Sequence, residues 1–239
     1  MEFEAYHAAH WAALAVAAAV LFIIVGQRER LRRPGANRAA RRSLAALLAG
    51  SEAALQISYA VGGGWDVYAL PFELCSITLW LSAVLLLTGN RKLYEVSFFL
   101  GTLGATQALL TPNLSATFPE FGYFHFFIAH IAIVAANVYM TVVERLRPTF
   151  SSVLRALAWL HALAIPAAIA NLAFGTNFMY LARKPNTASL LDLLGPWPWY
   201  LLRLEVVAFL LCLALLGLVR LADRLAGSNE AYGRLKPNE

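Results

Sequence analysis

The chain has 239 residues, 60% of them hydrophobic and 14% charged, with a mean hydropathy of +0.61. Soluble domains carry about a quarter charged residues, so this composition excludes disordered, collagen-like and ordinary soluble chains and specifies an all-α, polytopic membrane bundle. The net charge of +5 would suit nucleic acid, but the arginines are spaced as membrane-surface anchors, and no nucleic-acid partner is expected.

Seven apolar stretches reach the length of about 17–25 residues that crosses a bilayer. The first, 8–25, follows Glu2, Glu4, His7 and His10 rather than a basic segment, so it reads as a retained span, not a cleaved signal peptide. Arg28, Arg30, Arg32, Arg33, Arg38, Arg41 and Arg42 come next. The second stretch, 43–61, carries Glu52 and Gln56; the third, 70–88, holds Glu73 and Cys75 and is followed by Arg91 and Lys92. The fourth, 93–110, is the most polar, with Glu95, Thr102, Thr106 and Gln107. The fifth, 121–143, contains His125, His130 and Asn137 and leads to Arg145, Arg147 and Arg155. The sixth, 153–174, is interrupted by Pro166, and the seventh, 199–219, precedes Arg220, Arg224, Arg234 and Lys236. Continuous Leu- and Ala-rich runs specify helices; barrel strands would alternate over about ten residues. No internal repeat or second domain is evident, so residues 1–239 are expected to form one seven-helix transmembrane domain.

Apart from Arg183, Lys184 and Arg203, every Lys and Arg falls on the same side of these alternating spans. Basic residues are held on the cytoplasmic side of short loops, which predicts an N-out, C-in chain.

Ionisable groups inside spans are costly and mark functional sites by default. At a helical rise of about 1.5 Å per residue, Cys75 lies about 7 Å below the outer surface, His130 and Glu52 about 13 Å, Gln56 about 7 Å and Glu205 about 9 Å. Glu73 is shallower than Cys75, and Gln107 lies near the outer end of its span. Groups from five helices thus share the outer half of the bilayer, as a cavity opening to that leaflet requires. Glu52, Gln56 and Tyr59 recur at i, i+4 and i+7 and form one stripe. His125 and His130 are about 140° apart around their helix, so only one is expected to enter the cavity.

Cys75 is either a small buried hydrophobe, the usual role of a free cysteine, or a nucleophile activated by a histidine. A disulfide with Cys212 fails on depth, because Cys212 lies about 20 Å into the seventh span. A thiol of ordinary pKa, about 8.5, needs a base, and His130 is at comparable depth. Glu73 would oppose thiol ionisation if charged, or orient the imidazole as a third member. Asn113 and Gln107 are candidate oxyanion donors. In the 175–198 segment Trp197, with Trp199 and Tyr200 just beyond it, suits an interfacial belt, while Asn177, Arg183 and Lys184 suit a lipid phosphate. A retinal-binding protein is excluded, because the lysines are Lys92, Lys184 and Lys236 and none lies in the last span.

The motifs Leu70-Pro-Phe-Glu-Leu-Cys75-Ser, Thr111-Pro-Asn113, His125-Phe-Phe-Ile-Ala-His130, Lys184-Pro and Gly195-Pro-Trp-Pro-Trp occur in that order. With them the sequence resembles the YwaF-like bacterial integral membrane proteins, which are similar to animal transmembrane protein 164, an acyltransferase of ether-phospholipid remodelling. The resemblance implies Cys75 as nucleophile and His130 as its histidine, acting on membrane phospholipid and lysophospholipid in a bacterial cytoplasmic membrane. It implies no metal and no cofactor, in keeping with the lack of GxGxxG, Walker A and HExxH motifs. Glu52, Gln56, Glu73, Gln107, Asn113, Asn177 and Lys184 are then the expected substrate-binding residues. The alternative is a non-enzymatic lipid or small-molecule binding protein, or a transporter, using the same pocket.

Overall fold

The computed structural model describes residues 3–62, 66–185 and 189–234. Lys236 and residues 186–188 of the segment before the last span lie outside them. The described residues form eight α-helices: α1 (Ala8–Gly26), α2 (Arg28–Leu31), α3 (Pro34–Val61), α4 (Leu74–Thr88), α5 (Arg91–Leu110), α6 (Phe121–Val142), α7 (Phe150–Phe174) and α8 (Trp199–Arg234). Six segments are long and apolar enough to cross a membrane: α1, α3, α4 with the turn before it, α6, α7 and α8.

The expected fourth span coincides with α5, which is long enough but falls short in hydropathy. Its position explains the composition. Packed against α4, α6 and α7, it buries more than half of its residues, including Glu95, Ser97 and Thr102. Protein groups rather than lipid surround its polar side chains: Ser97 Oγ pairs with Ser82 Oγ at 2.9 Å, and Glu95 takes Arg155 Nε at 2.6 Å. Gly101 makes the α5–α6 approach possible. A methyl group there would stand 3.0 Å from Asn137 Nδ2 and 3.1 Å from Ile133 Cγ2. α3 packs on α4 and α6, α1 on α6, and α8 joins the bundle through α7 and α5.

Local chemistry sets the helix ends. Asn90 Oδ1 accepts from Lys92 N at 2.8 Å and so caps α5, while Gly89, at φ +67°, ends α4 in the left-handed region. Thr149 and Ser152 form a capping box at the start of α7. Several arginines of the basic end turn inward onto helix carbonyls. Arg41 Nε reaches Leu86 O at 2.6 Å, and Arg32 Nη2 reaches Val142 O at 2.8 Å. Cations are favoured at helix C-termini, so these side chains do more than face lipid head groups.

Candidate functional site

The non-basic end of the bundle carries the polar groups. After α7, Gly175 turns the chain into a loop held by the buried Asn171. Its Oδ1 accepts from Phe178 N at 2.7 Å and Thr176 Oγ1 at 2.8 Å, and its Nδ2 donates to Phe178 O at 3.0 Å. Phe178 is fully buried against the rings of Tyr68 and Phe72, at 5.7 and 5.5 Å between centroids. Met179 and Tyr180 then adopt φ of +55° and +53°, left-handed values that non-glycine residues rarely take. Glu73 Oε2, at the N-cap of α4, accepts from Met179 N at 3.1 Å and tethers this turn. Tyr200 Oη donates to Tyr180 O, and Trp197 Nε1 donates to Leu181 O at 3.2 Å. Two aromatics expected only to mark the membrane surface therefore also fasten the loop.

The turn walls a pocket of about 310 Å³ lined by Tyr68, Glu73, Asn113, Asn177, Tyr180, Arg183, Lys184 and Pro185. Four of the expected substrate-binding residues, Glu73, Asn113, Asn177 and Lys184, meet here. Asn177 organises the basic pair: its Oδ1 accepts from Arg183 N at 3.0 Å and its Nδ2 donates to Arg183 O at 2.9 Å. Lys184 Nζ lies 4.0 Å from Asp192 Oδ1. Cys75 sits two residues beyond Glu73, within electrostatic reach of both Glu73 and Tyr180. It packs beside Gly104 of α5, where a methyl group would lie 4.0 Å from Sγ.

Tyr180, like Tyr68, is a pocket residue that sequence reasoning missed. Its Oη accepts from Asn113 Nδ2 at 2.8 Å, which leaves the phenolic proton pointing elsewhere. Burial, together with the nearby Glu73 carboxylate, raises its pKa above the ordinary value, so the phenol keeps its proton. Nothing in the sequence marks Tyr180 apart from the other tyrosines; only the left-handed turn brings it into the pocket.

The second group of expected residues forms a separate cluster. Gln56 Nε2 donates to Glu52 Oε1 at 3.1 Å and to Ala69 O at 3.2 Å, and Glu52 is buried within electrostatic reach of His125. His130 lies five residues further along the same helix. His125 Nε2 is buried without a hydrogen-bond partner among the described residues. His130 Nδ1 donates to Phe126 O at 2.6 Å, because a carbonyl can only accept, and this leaves the lone pair on Nε2. Among the described residues no hydrogen bond joins Cys75 to His130, nor Glu73 to His130.

Gln107 is engaged locally, donating from Nε2 to Thr111 Oγ1 at 2.6 Å. Glu205, expected at cavity depth, pairs instead with His161 of α7 at 3.3 Å, both side chains being substantially exposed. Cys212 is free, as is Cys75. His10, given no site role in the sequence, is a structural link: Nδ1 accepts from Tyr6 N and Nε2 donates to Leu109 O, both at 2.8 Å. Among the described residues no group of three or more His, Cys, Asp or Glu is placed to hold a metal ion.

Long apolar helices around a buried polar interior define a polytopic helical membrane protein. The chain belongs to the TMEM164 family, whose model matches residues 5–216. A search of the curated proteins returns no match, and neither does a search of the solved structures.

Proposed function

We propose that the chain is a membrane acyltransferase that moves a fatty acyl chain between phospholipid and lysophospholipid through a thioester on Cys75. The reading draws on family membership over residues 5–216 and on one observation above all. A pocket with two cations, Arg183 and Lys184, and polar groups of Asn113, Asn177 and Tyr180 adjoins a free cysteine at the end of a membrane helix.

In the first half-reaction the Cys75 proton passes to His130 Nε2 and the thiolate attacks an acyl ester carbonyl. The thioester forms as the ester C–O bond breaks, and the departing lysolipid oxygen takes the proton back from His130. In the second, a lysolipid hydroxyl gives its proton to His130 and attacks the thioester; Cys75 leaves as thiolate and regains the proton. Among the described residues no hydrogen bond joins His130 to Cys75, so this scheme has the two come within hydrogen-bond reach when lipid binds. Tyr180 Oη, aligned by Asn113, is the oxyanion donor in this scheme, since Gln107 is occupied by Thr111. Arg183 and Lys184 receive the phosphate, while Glu73 supports the turn.

We read the bundle as seven spans, counting α5, with the N-terminus outside and the C-terminus in a bacterial cytoplasm. The one-sided basic residues support this orientation and make the pocket an outer-leaflet feature. The lack of a Cys75–His130 hydrogen bond among the described residues favours the second reading, a lipid-binding protein without catalysis.

One experiment separates them. Purified protein is incubated with defined phospholipid and isotopically labelled lysophospholipid, with products read by mass spectrometry. The enzyme reading expects label in the phospholipid and a thioester adduct on Cys75, both abolished in Cys75→Ala and both much reduced in His130→Gln. Transfer that persists in Cys75→Ala removes the nucleophile; lipid bound without transfer selects the binding reading.

A further inference from the structure

At the opposite end of the bundle from Cys75, a groove of about 630 Å³ runs between α1, α5, α6 and α8. Its wall along the bilayer is apolar, formed by Phe98, Val138, Leu215 and Leu218. The lining residues of α8 extend from Leu215 to Ala226, about 16 Å along the helix axis. The exposure of Leu218, 63%, marks the side open to lipid. The far end of the groove is ionic, with four arginines against two acids, Glu29 and Asp223.

Those charges are unevenly spent. Arg32 pairs with Glu29 and with carbonyls of α6, and Arg147 Nε holds Asp223 Oδ2 at 2.7 Å. Arg28 shares Glu29 at 3.7 Å. Arg145 makes no hydrogen bond or ion pair among the described residues and stands exposed at the mouth. Its backbone is at φ +58°, just past the end of α6, where glycine is the usual helix-ending residue. A strained arginine where glycine would be relaxed indicates that the side chain matters.

We propose that this groove holds one anionic phospholipid, its phosphate on Arg145 and Arg28 and one acyl chain along Phe98, Val138 and Leu218. The surplus positive charge selects an anionic head group, and the apolar wall demands an attached chain. The site is independent of the Cys75 pocket and of any transfer chemistry there.

Native mass spectrometry of the detergent-solubilised full chain tests it, with phosphatidylglycerol and phosphatidylcholine of identical chains in competition. Wild type should retain one phosphatidylglycerol with about tenfold preference, the scale of one charge-assisted contact. Arg145→Gly should abolish the preference while unfolding at no lower temperature than wild type without lipid, because glycine relaxes that φ. Leu218→Trp, which fills the groove from its exposed side, should lower retention of both lipids. Glycerol 3-phosphate should displace neither. Equal retention of the two lipids by wild type, unchanged retention in either variant, or displacement by glycerol 3-phosphate would overturn the proposal.

Discussion

Replacing Asn171 by alanine should loosen the loop that walls the candidate pocket and leave the helices standing. The side chain is buried and makes three hydrogen bonds at 2.7–3.0 Å, two to the backbone of Phe178 and one to Thr176. Each contributes about 1 kcal/mol, and truncation strands the Phe178 amide and carbonyl in an apolar setting, so the local cost is about 3 kcal/mol. The bonds are confined to the α7 end and its loop, so the loss should appear as local opening. Amide exchange over residues 176–183 should quicken by about 100-fold, the equivalent of that energy, while the centres of α5 and α6 keep wild-type protection. Asn171→Asp keeps both acceptor bonds and should fall between. Exchange at Phe178 unchanged in Asn171→Ala would mean that ring packing against Tyr68 and Phe72 holds the loop unaided, and the assignment of Asn171 as its staple would be wrong.

Two glycines of the membrane helices should respond to alanine with opposite signs. Gly101→Ala forces a methyl group against Asn137 and Ile133 and should lower stability by about 1–3 kcal/mol, whereas Gly50→Ala, with nothing within 4 Å, should raise it by about 0.5–1 kcal/mol; thermal unfolding in one detergent compares them. Arg155→Leu should destabilise by about 1–3 kcal/mol, because it strips the close partner from the buried Glu95 carboxylate, whereas the double replacement Glu95→Leu with Arg155→Leu should recover much of the loss; unfolding curves of the three variants decide. Tyr180 has a raised pKa in the folded protein, so its contribution is complete below the unfolded value, about 10, and fades as pH climbs through the folded value. Melting temperatures from pH 8 to 11 should fall less steeply in Tyr180→Phe than in wild type.

Helix positions were legible because hydropathy is a property of the stretch itself. The expected spans at 8–25, 70–88 and 121–143 lie within two residues of α1, the third apolar segment and α6 at most boundaries. α5 shows where that reasoning weakens: a helix wrapped by others answers to its neighbours rather than to lipid, so Glu95 and Thr102 dilute its apolar signal without exposing it. Of the expected site residues, Glu73, Asn113, Asn177 and Lys184 line one pocket. Azimuth and tilt were not legible. Glu205 turns to His161, Gln107 folds back on Thr111, and Glu52, bonded to Gln56, lies toward His125 rather than in the pocket. Tyr180 could not be foreseen, since its position depends on two consecutive left-handed residues whose cost is met by contacts distant in sequence.

The inward-facing arginines also bear on how such a chain assembles. Arg41 latches the end of α4, and Arg32 latches the end of α6, across sequence separations of 45 and 110 residues. Each latch closes only when both partners emerge on the same face of the membrane. A segment threaded the wrong way would present its amide end to the guanidinium and be repelled. The residues that bias insertion thus also inspect its outcome, and lysine at these positions would keep the bias while surrendering most of the inspection, because a single ammonium cannot span several carbonyls as a planar fork does.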